Sequence, residues 1–141
     1  MPSARDFVIL FAGALALRAA VGATPAPPHN IKEEHPGDTA LSQDDSGNWV
    51  YKSFPSLRAL YVSDKDPPLK SKCNDGCDSE WPPLLVSGGE SVRSVGDWTV
   101  IVRDDGRKQW AYKQKPVYMR YHDLPTDGSD IRKEGFRRLE P

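Results

Sequence analysis

A small, mainly β domain is the fold class this sequence predicts: an antiparallel sheet or barrel-like closure with two related halves, little helix and one local disulfide. Three observations predict it. Thirteen prolines and eleven glycines in 141 residues are denser punctuation than a helical bundle tolerates. Within residues 48–141 the apolar residues recur with period two and show no sustained period of 3.6. The only two cysteines, Cys73 and Cys77, sit close enough in sequence to close a local loop.

The chain divides into three stretches. Residues 1–23 have the form of a secretory signal. Arg5 precedes an apolar run from Phe7 to Leu17, well short of the about 20 residues a membrane-crossing helix needs. Val21 and Ala23 then supply the small residues a signal peptidase requires, so cleavage is expected after Ala23. No cysteine lies near that cut to carry a lipid. The expected product is periplasmic or secreted, without stable membrane insertion once cleaved.

Residues 24–47 read as a flexible, acidic, proline-rich leader. Pro25, Pro27, Pro28 and Pro36 alternate with Glu33, Glu34, Asp38, Asp44 and Asp45, and large apolar residues are nearly absent. Such a composition buries too little surface to offset its ordering entropy. His29 and His35 lie here beside two glutamates, but a mobile stretch without a third imidazole or thiol makes a poor metal site.

Residues 48–141 hold the single folded domain. Trp49 to Phe54 and Arg58 to Val62 have strand composition on either side of Pro55. Lys70 to Pro83, with its Asp, Asn, Gly, Cys and double proline, predicts a compact loop with room for one helical turn. From Trp98 to Arg103 β-branched residues dominate, with Trp98, Val100 and Val102 expected on one face. Asp104-Asp105-Gly106 then turns the chain into a second strand, Lys108 to Lys113, which places Trp110 and Tyr112 together. Pro116 is expected to break the chain before a last short strand, Val117 to Tyr121.

Two aromatic stretches repeat. Trp49-Val50-Tyr51-Lys52 followed by Pro55 matches Trp110-Ala111-Tyr112-Lys113 followed by Pro116. Each is followed by a tyrosine with an aspartate five residues on, Tyr61 with Asp66 and Tyr118 with Asp123. Repeats of this kind predict equivalent strand pairs within one sheet or barrel. A tyrosine hydroxyl on a carboxylate is a way to lock a turn, and proline follows both aspartates closely.

The ordered set Leu60 to Asp66, Lys70 to Cys77, Trp81-Pro82-Pro83-Leu84, Gly96 to Val100 and Arg103 to Tyr112 resembles the bacterial secreted-repeat family, the predicted lipoproteins with the Tyr-x-aromatic-x-x-Asp motif. The likeness runs from about Trp49 to the end of the chain. Ser63 and Arg120 stand where that motif has an aromatic, and the lipobox cysteine of its lipoprotein members is missing. Because members of that family lack an established enzymatic activity, the resemblance implies a secreted or envelope accessory protein.

In an exported protein the Cys73–Cys77 pair is most simply a disulfide, with Asp75-Gly76 turning the chain between them. A structural zinc site lacks a second Cys or His pair. The alternative is copper: two thiolates with His122 would suit Cu(I). Copper-handling proteins with this spacing, however, use a thioredoxin-like fold, for which the βαβ pattern is missing here.

The four tryptophans, with Tyr51, Tyr61, Tyr112, Tyr118 and Tyr121, are a large aromatic share for a small domain. Core packing is the expected role of the tryptophans. The candidate interaction residues are Tyr61, Asp66, Trp81, Trp110, Tyr112, Tyr118 and Asp123. The net charge of -1 gives no reason to expect a nucleic-acid partner. No nucleophile triad, phosphate loop or metalloprotease motif is present. The expected function is therefore that of a non-enzymatic accessory or binding protein, secreted or periplasmic, whose ligand the sequence does not specify; an envelope protein is the candidate partner, and no cofactor is expected. A redox or copper-handling accessory role through Cys73, Cys77 and His122 is the alternative.

Overall fold

The computed structural model describes residue 22 and residues 25–32, 34–89, 92–122 and 129–141. Mainly antiparallel β structure is what these residues form. Strands β1 (Thr39–Gln43) and β2 (Trp49–Ser53) pair as a two-stranded sheet. Five further strands, β3 (Tyr61–Ser63), β4 (Trp98–Val102), β5 (Lys108–Tyr112), β6 (Lys115–Tyr118) and β7 (Phe136–Arg138), form a second sheet in the order β4-β5-β6-β3-β7. That sheet is open, with β4 and β7 at its edges, so the barrel option is not realised. Two short helices, α1 (Cys77–Glu80) and α2 (Ser129–Lys133), complete the described secondary structure.

Each hairpin has its own turn chemistry. Between β1 and β2 the Asp44 carboxylate accepts the backbone N–H groups of Ser46 and Asn48, both at 2.9 Å, and Gly47 takes a left-handed φ of 82°. The expected turn after β4 is present: Gly106 has φ 83° and donates its N–H to the Arg103 carbonyl at 2.9 Å. Between β5 and β6 the turn residues are Lys113 and Gln114, at φ 46° and 67°. Two consecutive left-handed residues make the twist that a two-residue hairpin requires, although neither is glycine or asparagine.

Three expectations need correction here. The folded region does not begin at Asn48, because Thr39–Gln43 is a strand paired along its whole length with β2. Its composition conceals this, since TALSQ carries little apolar content and the pairing is imposed by the Asp44 turn and by β2. Further anchors precede it: Asp38 accepts the Trp110 indole N–H at 2.8 Å, and the Lys32 carbonyl accepts the Tyr51 hydroxyl. Pro116 does not break the chain but lies inside β6 opposite Ala111. The β3 ladder covers Tyr61↔Tyr118 and Val62↔Val117 and ends before Pro116, which lets the missing N–H go unused. Finally, Trp98 and Ile101 are buried while Val102 is exposed, because the end of edge strand β4 runs beyond the core toward its turn.

Two aromatic clusters make the core. In the first, Tyr51 of β2 meets Trp98 edge-on at 5.2 Å and Tyr112 at 5.4 Å, tying the small sheet to the large one. The second gathers Tyr61, Trp81, Tyr118, Ile131 and Phe136 under the disulfide loop. Of the matched aromatic stretches, β2 lies in the small sheet and β5 in the large one. Tyr61 and Tyr118 nonetheless stand directly opposite each other in the ladder. Among the described residues no helix is long and apolar enough to cross a membrane.

Candidate functional site

Beside the second cluster lies a cleft of about 300 Å³, with walls from three separated segments. The end of β3 and the loop after it supply Ser63, Lys65 and Asp66. The disulfide loop and α1 supply Lys72, Cys73, Cys77, Glu80 and Trp81, and the chain entering β7 supplies Glu134 and Phe136. Cys73 and Cys77 are joined as expected, so one wall is covalently closed.

Trp81 anchors the loop. Its ring stacks on Phe136 with centroids 3.8 Å apart and planes 5° from parallel, and Tyr61 meets it edge-on at 5.2 Å. Its indole N–H donates to Glu134 Oε2 at 2.7 Å, and the Arg120 guanidinium lies 5.5 Å from the ring centre. With 2% of its surface exposed, Trp81 packs as the sequence predicts and presents no open stacking platform. Arg120 also lies 3.9 Å from Glu80 and 3.8 Å from Glu134, offsetting two carboxylates on the cleft wall.

Asp66 lies at the inner end of a buried polar chain. Its carboxylate accepts the Lys72 N–H at 2.8 Å and the Tyr118 hydroxyl at 2.6 Å. The single Tyr118 proton is thereby used, so Ser71, whose Oγ lies 2.6 Å away, donates to the tyrosine oxygen. Ser71 in turn accepts from Arg103 Nη1 at 3.0 Å. The same guanidinium donates to Gln109 Oε1 at 2.8 Å, the Cys73 carbonyl at 2.7 Å and Asn74 Oδ1 at 3.3 Å. Gln109 closes the chain on the Val117 carbonyl at 2.8 Å. Burial pushes the Asp66 carboxyl above the usual aspartate value, against the opposing pull of the Tyr118 and Lys72 bonds. Burial, and then the bond to Asp66, push the Tyr118 phenol upward too.

The turn-locking pairing read from sequence is thus crossed over: Asp66 is held by Tyr118 of the second aromatic stretch. Asp123 lies outside the described residues. Trp110 and Tyr112 are buried in the first cluster and do not line the cleft. His122 is exposed and packs edge-on against Tyr121 with ring centroids 4.7 Å apart. The cysteine sulfurs, bonded to each other, offer copper no thiolate in this state. Among the described residues no three His, Cys, Asp or Glu side chains converge as a metal-ligand set. His35 bonds Thr39 Oγ1 at 3.0 Å and packs against Tyr51.

Sequence reasoning missed Arg103, Ser71, Lys65, Lys72, Glu80 and Glu134. Arg103 borders a turn motif, where an arginine reads as solvated, and only the fold brings the disulfide loop over it. Comparison with protein-family models, with curated protein sequences and with solved structures returned no match.

Proposed function

We propose that this chain is an exported, non-enzymatic binding protein whose recognition site is the cleft beside the Cys73–Cys77 loop. One observation carries the reading: three segments remote in sequence meet around about 300 Å³ and line it with fixed aromatic edges and charges of both signs. Concave sites with an apolar body and a few placed polar groups are where proteins take ligands. Lys65 and Lys72 are exposed, while the Glu80 and Glu134 carboxylates are drawn toward Arg120. An acidic side chain or carboxylate of an envelope protein partner fits that charge arrangement.

The test is affinity capture from periplasm or medium with the processed protein as bait, beside the double variant Lys65→Glu, Lys72→Glu. Both lysines are exposed, so the variant should melt as the wild type does. A specific protein captured by the wild type and lost by the variant supports the cleft. Equal capture by both would reject it.

A further inference from the structure

We propose that the Cys73–Cys77 disulfide is a redox latch on the cleft, holding the stretch from Asp75 to Ser79 in place until a dithiol reduces it. The proposal rests on the cleft being the recognition site, but the latch itself is read without any ligand.

The two ends of the loop are held very differently. On the Cys73 side, Arg103 grips the Cys73 carbonyl and Ser71, and Asp66 holds the Lys72 N–H at 2.8 Å; none of these contacts involves sulfur. Beyond the loop, Trp81 is buried and the Glu80 carbonyl accepts the Tyr121 N–H at 2.8 Å. Between these anchors little holds the chain. Helix α1 has no buried residue and no side-chain cap. Asp75 and Gly76 are both left-handed, at φ 54° and 105°, a conformation costly for the aspartate. Among the described residues the other ties are modest: the half-exposed Asp78–Arg107 pair at 3.2 Å, Asp78 beside Arg103 at 3.7 Å, the Gly76 N–H on Asp78 Oδ1 at 3.4 Å, the Cys77 N–H on the Asn74 carbonyl at 3.3 Å, backbone bonds of a single helical turn, and the packing of Cys77 itself on the second cluster. Among the described residues the disulfide is the one covalent constraint there.

Chemical access is built in on the same side. Cys77 is partly exposed and lines the cleft, whereas Cys73 is 4% exposed. A dithiol's thiolate attacks Cys77 Sγ, breaking the Cys73–Cys77 bond, and Cys73 leaves as a thiolate that takes up a proton. The reductant's second thiolate then displaces Cys77, which is protonated in turn. The protein gains two electrons and two protons, and the reductant closes its own disulfide. Opened, the stretch no longer holds Cys77 against the cleft, and binding there is lost.

The experiment is residue-resolved amide hydrogen exchange on the full processed chain, with and without dithiothreitol. The chain entropy that a cross-link of this loop size withholds from the open state predicts about thirtyfold faster exchange at the Cys77, Ser79 and Trp81 amides on reduction. The Lys72 amide, held by Asp66, and the Trp110 amide, held by the Leu84 carbonyl, should not change. Unchanged exchange at all sites, or acceleration of every core amide together, would overturn the latch. The double variant Cys73→Ala, Cys77→Ala should show the fast pattern without reductant. If it does not fold, the wild-type comparison decides alone. Capture lost by the lysine variant but unaffected by dithiothreitol would sink the switch and leave the cleft standing. Local opening with no cleft-dependent capture would reject the cleft while keeping the latch.

Discussion

Tyr118 donates its hydroxyl to Asp66 at 2.6 Å across 52 residues of sequence, joining the floor of β6 to the loop that forms one wall of the cleft. Tyr118 is fully buried and Asp66 is 3% exposed, so little water competes for this bond.

Tyr118→Phe removes that donor and leaves the Ser71 hydroxyl without its acceptor. A hydrogen bond to a charged group is worth about 1.5 to 3 kcal/mol, and the loss of stability should fall in that range. Urea denaturation of the folded variant measures it. A change near zero would mean that the bond contributes nothing.

Asp66 carries a pH signature of opposite sign to a paired surface carboxylate. Its folded-state pKa lies above the unfolded value, so between the two the native state binds more protons. Stability contributed by Asp66 therefore falls as pH rises from the ordinary aspartate value of 3.8 through the raised one. In Asp66→Asn, where Tyr118 can reverse its hydroxyl to accept, that fall should vanish. Urea midpoints of both proteins across this acidic window, taken as a difference, remove the opposing slopes of Asp44 and Asp105, whose pKa values are lowered.

Arg103→Met should be among the most damaging single changes. It strips donors from Ser71, Gln109, the Cys73 carbonyl and Asn74 at once, most of them away from water. A loss of about 3 to 4 kcal/mol is expected, with the disulfide loop loosened. Arg103→Lys should recover little, because an ammonium cannot span the forked set of acceptors.

A chain begun at Asn48 lacks β1 and the Asp38 acceptor of Trp110, leaving Tyr51 and its aromatic neighbours uncovered. It should show no cooperative thermal transition, whereas a chain begun at Pro25 should melt like one begun at Thr24. Equal melts would restore a boundary at Asn48.

Export is tested directly by mass spectrometry of protein recovered outside the cytoplasm, which should begin at Thr24. Recovery of an intact chain starting at Met1 from the membrane fraction would contradict cleavage after Ala23.

What was legible in the sequence was what local chemistry writes down. The β4–β5 hairpin follows from a β-branched run, Asp104-Asp105-Gly106 and an aromatic return, all within fifteen residues (Trp98–Tyr112). The disulfide follows from two cysteines four apart. The β5–β6 turn was hidden because Lys113 and Gln114 are poor left-handed residues, held there by the strands they connect. Strand β1 was hidden for a related reason, its order coming from β2 and Trp110 rather than from its own composition. At the site, Cys73, Cys77, Asp66 and Trp81 could be singled out, but not that Asp66 belongs to Tyr118. Spacing along a chain carries no record of which strand will lie alongside, and here β3 pairs with β6.

The large sheet ends on its shortest kind of strand. Phe136 turns inward from β7, and Arg137 and Arg138 are exposed, with Arg137 held to Asp64 at 2.9 Å. A second chain trying to add itself to this margin would meet only three residues of backbone and two exposed arginines, one of them paired with Asp64. At high local concentration, where exposed sheet edges are prone to join one another, this margin opposes growth into fibrils.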